Sequence, residues 1–242
     1  KHKKAVVDAR RGQVFTKVAR ELAVAAREGG PDPTGNFRLR LAIQKAREVN
    51  MPADNIDRAI ARGAGDKDGA QLEEIRYEGY GPNGVAVMVD ALTDNRNRTV
   101  AAIRNVFTRS GGSLGESNSV AWMFNNQGLI RVAAAGRDPE EVALELLDVL
   151  DVGEGGDVSV DGGDVQVTVE PARFEDSRRA LEERGYTVES AEVTMNPTTS
   201  VELDAKQANA VIRLLEALED HEDVQQVYAN AEIPDDVLES VG

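Results

Sequence analysis

The side chains in this chain best suited to chemistry are cations. Lys1, Lys3, Lys4, Arg10, Arg11, Lys17, Arg20, Arg27, Arg38, Arg40, Lys45, Arg47, Arg58 and Arg62 all fall within the first 62 residues. Lysine and arginine at this density suit contact with phosphates. Each contact releases condensed counterions and gives affinity without reading a base. A second polar cluster is Thr93-Asp94-Asn95-Arg96-Asn97-Arg98-Thr99. It lies where an apolar, strand-like run gives way to helical spacing. A helix N-terminus directs unpaired N–H groups outward, so Asn95, Arg96, Arg98 and Thr99 form a candidate anion site. The favoured alternative is capping by Asp94 or Asn95, with the arginines solvated.

Other chemistries find little support. The chain has no cysteine, which excludes disulfides, thiolate metal sites and a cysteine nucleophile, and fits a reducing, cytoplasmic setting. Its two histidines, His2 and His221, have no metal-ligand spacing. His221 sits in the acidic run Glu219-Asp220-His221-Glu222-Asp223 and reads as a solvated surface residue. The 43 carboxylates include none in an obviously apolar setting that would raise a catalytic pKa. The glycine clusters lack the strand, helix and lysine of a phosphate loop and read as turns. No metal, cofactor or enzymatic activity is expected. No apolar run reaches the roughly 18 residues of a membrane span, and the opening KHKK is not an apolar signal segment.

The net charge of −15 argues against a polyanionic partner only as an average. Residues 1–72 hold 15 of the 28 basic residues but 9 of the 43 acidic ones, a net of +6 against −21 for the remainder. This is a basic head on an acidic body.

Periodicity supplies the elements. Phe15, Val18, Leu22, Ala25 and Ala26 form an apolar stripe over 13–28. Lys17, Arg20 and Arg27 lie outside it, joined by Lys3 and Arg10 if the helix passes Gly12 unbroken. Gly29-Gly30-Pro31 ends it. A second helix starts at the cap Asn36 and buries Leu39, Ala42, Ile43 and Ala46. A third buries Ile56, Ala59 and Ile60 and closes at Gly63, with 63–69 as a linker. In the body, strands are expected at 75–80, 85–92, 120–124, 128–132, 157–160, 164–169, 188–195, 199–203 and 224–229. Helices follow Asn95, the capping box Asp138-Pro139-Glu140-Glu141, residue 173 and Asp204. Residues 128–195 spell β-α-β-β-α-β, the ferredoxin-like order. The β-α-β segments at 84–125 and 199–229, joined, spell it again. The expected fold class is α+β, an N-terminal three-helix domain plus two ferredoxin-like α/β sandwiches, one inserted in the other. Its domains are 1–72, 73–127 with 196–242, and the inserted 128–195.

These strings carry a family resemblance. Residues 1–63, with NMP, DNI, RAI and RG in spaced order, resemble the N-terminal domain of the YebC/PmpR family. YEGYGPNGVAVMVDALTDNRNRTVAAIRNVF, GGSLG and SVAWMF resemble its middle, and VQQVYANAEI its end. The resemblance implies a three-helix domain and two α/β domains. It implies a probable transcriptional regulator that binds DNA, or a translation factor related to a mitochondrial translational activator of a cytochrome oxidase subunit. In that second case the factor sits on ribosomal RNA and relieves stalling at proline-rich stretches. No enzymatic activity is implied. Members usually carry a segment like MAGHSKWANI before the KHKK-type run, with which this chain opens. They also tend to have glycine before the position of Ser119, where this chain has Asn118.

The expected function is therefore a nucleic-acid-binding regulator of gene expression, with DNA or ribosomal RNA as partner and the ribosome as a further candidate. A membrane is not expected, and nothing in the sequence sets an oligomeric state. The connector 29–35 is too long for a helix-turn-helix, and two phenylalanines make a poor stacking platform. If Lys17, Arg20 and Arg27 face solvent, reversing their charges together weakens nucleic-acid binding and leaves the helices folded.

Overall fold

The computed structural model describes residues 2–65, 72–234 and 237, with residues 2–11 given by their backbone alone. The helices of the head are α1 (His2–Gly29), α2 (Phe37–Glu48) and α3 (Ala53–Gly65). Gly12 does not break α1. Val18, Leu22, Ala25 and Ala26 of α1 meet Leu39, Ala42 and Ala46 of α2 and Ile56 and Ala59 of α3 in one core. Asn36 ties two of the helices together. Its side-chain oxygen accepts from Leu39 N–H at 3.0 Å and caps α2, while its amide donates to Ala25 and Gly30 carbonyls at 2.8 Å each, closing α1. One buried amide thus satisfies groups that both helix ends leave orphaned.

Gly63 departs from expectation. It does not open a linker; α3 continues to Gly65. Residues 66–69 of the expected linker lie outside the described residues. A Cβ on Gly63 would stand 2.1 Å from the Ala23 carbonyl oxygen. The glycine is there because the α1 and α3 backbones touch.

The chain divides into two compact units, Lys1–Ala121 with Ser200–Gly242, and Trp122–Thr199. In the first, the body consists of β1 (Glu73–Tyr80), β2 (Ala86–Thr93), α4 (Arg96–Arg109), β3 (Ser113–Leu114), β8 (Val201–Glu202), α7 (Ala205–Glu219), β9 (Val224–Ala229) and β10 (Ala231–Glu232). The sheet order is β3-β1-β2-β9, antiparallel throughout. Ile103 and Phe107 of α4 and Val211, Leu214 and Leu218 of α7 pack with Val87, Val89 and Ala91 of β2. The layout is that of a ferredoxin-like sandwich, but the strand between β2 and β3 is β1, supplied from upstream. Segment 199–203, read as that strand, contributes only Val201–Glu202, which pairs in parallel with β10. Leu203 is instead in the core, and Asp204 caps α7 in a reciprocal capping box with Gln207.

The second unit contains β4 (Phe124–Val132), α5 (Pro139–Val149), β5 (Asp157–Asp161), β6 (Asp164–Val169), α6 (Phe174–Glu183) and β7 (Val188–Pro197). Its sheet order is β5-β6-β4-β7. This is the β-α-β-β-α-β sandwich, with Gly162 and Gly163 at positive φ in the β5–β6 turn. Asp138 caps α5 by accepting from Glu140 N–H at 3.1 Å, in place of the expected box.

The expected strand 120–124 is not one. Asn118, Val120 and Ala121 turn their N–H groups onto the carboxylate of Glu78 at 2.8–2.9 Å. A single strand begins only at Phe124 and runs unbroken through Gly128. Glu78 is 5% exposed. Burial opposes its charge, and the three N–H donors outweigh that, holding its carboxyl below the usual glutamate range.

The contact at Gly63 sets a test of the head. Gly63→Ala is expected to lower stability by about 1 kcal/mol, because the overpacking cost of roughly 1–3 kcal/mol exceeds the roughly 1 kcal/mol gain in helix propensity. Urea denaturation measures it; a stabilised variant contradicts the close approach of α1 and α3.

Candidate nucleic-acid interface

The cations of the head have three different fates. Lys17 and Arg20, in the middle of α1, turn toward the body. The Lys17 ammonium donates to the Glu219 carbonyl at the end of α7. Arg20 donates to the Glu222 carbonyl and to Asp223 Oδ1, each at 3.1 Å. Burial pushes the Lys17 ammonium below its usual value, only partly offset by Glu219 and Asp220. These residues are not solvent-facing, and their charge reversal would set carboxylates against Asp223 and the acidic end of α7. The loss would be of the head's seat on the body, with or without nucleic acid.

A second group is engaged within the head or at its edge. Arg38 pairs with Glu28 at 2.6 Å and with Glu74. Lys45 pairs with Glu21 at 3.1 Å. Arg40 donates to the Pro33 and Thr34 carbonyls and lies over the Phe37 ring.

The third group faces outward. Arg27, Arg47 and Arg62 are exposed and have no ion pair or side-chain hydrogen bond among the described residues. Arg58 is also exposed, its guanidinium held by the Asp54 carbonyl at 3.0 Å and by Asn55 Oδ1. Among the described residues no carboxylate pairs with it. Arg58 and Arg62, one turn apart on α3, share the edge of a groove between α1 and α3. Lys3, Lys4, Arg10 and Arg11 lie on α1, described by backbone alone, and Lys1 lies outside the described residues.

The candidate anion site at α4 is filled by the chain itself. Asn95 is the cap, accepting from Arg98 N–H at 3.1 Å. Arg96 is exposed. Arg98 is not simply solvated: it pairs with Asp94 at 2.9 Å and Asp223 Oδ2 at 3.0 Å. The buried Thr99 hydroxyl donates to Asp223 Oδ2 at 2.8 Å. The anion expected at this helix start is thus Asp223, 1% exposed. Burial raises its pKa. Thr99, Arg98 and Arg20 lower it by more, so the carboxyl titrates below the ordinary aspartate range. His221 is not merely solvated either; its Nδ1 accepts from Asp223 N–H at 3.1 Å.

Sequence reading had no handle on Asp223. It is one of four acidic residues in five, and its partners are 124 and 203 positions away. Its only local mark is that it immediately precedes an apolar strand. Glu78 was likewise invisible, lying in a strand whose other charged residues are exposed. Among the described residues no group of His, Asp and Glu is arranged to hold a metal ion, and no helix is long and apolar enough to cross a membrane.

Residues 1–66 match the family described as "TACO1/YebC protein N-terminal domain", and residues 72–231 match "TACO1/YebC second and third domain". Proteins named "Probable transcriptional regulatory protein" from Shewanella oneidensis and Pelotomaculum thermopropionicum are similar along their whole length. The first is 51% identical, covering 100% of this chain and 96% of the relative. The second is 52% identical, covering 97% and 96%. The crystal structure of a conserved hypothetical protein from Aquifex aeolicus superposes with a TM-score of 0.81 at 46% identity, covering 96% of this chain and 94% of that one.

The Asp223 hub makes a pH-dependent prediction. A carboxyl whose folded pKa is depressed contributes stability above the unfolded value and loses it as pH falls through the folded one. Asp223→Ala is expected to cost about 2 kcal/mol at pH 7 by urea denaturation. That difference should begin to shrink below about pH 4, where Asp223 of the unfolded chain takes up a proton while the folded one, its carboxyl held below the ordinary range, stays charged. A difference that stays constant to pH 3 contradicts a charged Asp223.

Proposed function

Because the chain belongs to the TACO1/YebC family, we propose that it is a regulator of gene expression that binds nucleic acid through the outward arginines of its helical head. The observation that carries this reading is the division among the head's cations. Arg27, Arg47, Arg58 and Arg62 present charge that no carboxylate among the described residues neutralises, whereas the other described cations of the head are engaged internally. Lys1, Lys3, Lys4, Arg10 and Arg11 add further positive charge to this stretch of the sequence. The name its relatives share, probable transcriptional regulatory protein, supports a role in transcription. The acidic remainder of the chain repels a polyanion and leaves the head as its approach.

A second reading is translational, with structured or ribosomal RNA as the ligand. It draws on the seven-residue connector Gly30–Asn36, which is too long for α1 and α2 to form a helix-turn-helix, although the four-residue connector Val49–Pro52 gives α2 and α3 the length for one. Phosphate and shape contact serve RNA well. No catalytic step is assigned to the chain in either reading.

The test is a salt titration. Replacing Arg27, Arg47, Arg58 and Arg62 together by glutamine is expected to lower the slope of log affinity against log salt by about 3 on duplex DNA. The melting temperature should stay within a few degrees of the parent. An unchanged slope removes these arginines from the interface.

A further inference from the structure

The groove between α1 and α3 has a chemistry that phosphate contact alone does not use. Phe15, Ala19 and Met51 give it apolar walls, and Asn55, Arg58 and Arg62 line its polar side. Its volume is about 440 Å3, within the roughly 300–1,000 Å3 range of small-ligand sites. Among the described residues no carboxylate lines it. At about 3.6 residues per turn, Asp57 lies across α3 from the edge formed by Asn55, Arg58 and Arg62. The occupant must therefore combine a flat or apolar body with negative charge beside it.

A nucleotide meets both conditions. Its base suits the part of Phe15 not packed into the head core, and its flanking phosphates suit Arg58 and Arg62. Asn55 holds Arg58 through its oxygen, which leaves its amide N–H groups for acceptors on a base edge. A base stacked inside a duplex hides both faces and cannot enter, whereas an unpaired one can. We propose that this groove binds one unpaired nucleotide, so that the protein prefers nucleic acid with a bulged or looped-out base. The inference rests on the nucleic-acid reading above and adds the class of ligand to it.

Fluorescence anisotropy with the full chain tests this on three RNA hairpins: one with a single-nucleotide bulge, one with an abasic residue at the bulge, and one fully paired. The first is expected to bind about tenfold more tightly than the other two. Ala19→Met, which fills the apolar wall, should reduce that preference to less than twofold while keeping the parent's affinity for the paired hairpin. If Ala19→Met melts early, the comparison of bulged and abasic hairpins on the parent chain decides alone. Binding of all three hairpins within twofold overturns the groove proposal and leaves phosphate binding intact. No binding to any hairpin at low salt overturns both.

Discussion

The carboxylate of Asp223 is the interaction on which the arrangement of the first unit depends. It is buried between the middle of α1, the start of α4 and the start of β9. It accepts charge-assisted hydrogen bonds from Arg20 and Arg98 and a third from Thr99. A buried anion without partners costs several kcal/mol, so each partner is held where Asp223 needs it. Arg20 brings α1 with it, and Lys17, three residues earlier, reaches the Glu219 carbonyl in the same stretch. The basic head is in this way seated on an acidic body by two of its own cations. Glu78 does similar work elsewhere in the unit. It collects three backbone N–H groups and converts an apolar segment that would extend a strand into a folded loop.

This assigns different roles to residues that look alike in sequence. Lys17, Arg20 and Arg27 recur at three and seven residues along one helix, as a single basic stripe would. In the folded chain the first two are structural and the third is exposed. On α3, Arg58 and Arg62 sit one turn apart at the edge of a groove that no carboxylate among the described residues lines. The surface open to a polyanion is therefore smaller and more defined than the positive charge of the head suggests.

The three helices, their caps and most strands of both sandwiches were legible because they follow from local rules. Asn36, Asn95, Asp138 and Asp204 are caps in sequence and in structure. The apolar stripes of α1, α2 and α3 are the faces that meet in the head core. The illegible features are those set by distant partners. Nothing near Val120 announces that Glu78, 42 residues upstream, will take its N–H. Gly63 has the look of a helix stop, and only the Ala23 backbone explains it. The strand that completes the first sandwich comes from upstream of β2, because β1 and β2 form a hairpin before α4 begins; element order alone pointed to 199–203. The α4 site was legible as a place for an anion, but the identity of that anion required the fold.

The account turns on which arginines are open and which are committed, and chemical footprinting reads that directly. Phenylglyoxal modification followed by mass spectrometry, on the full chain with and without a bulged RNA hairpin, reports the reactivity of each arginine. The account predicts that Arg27, Arg47, Arg58 and Arg62 react readily in the free protein and are protected by RNA, while Arg20 reacts slowly in both states. Fast modification of Arg20 in the free protein, or protection confined to arginines outside the head, would contradict it.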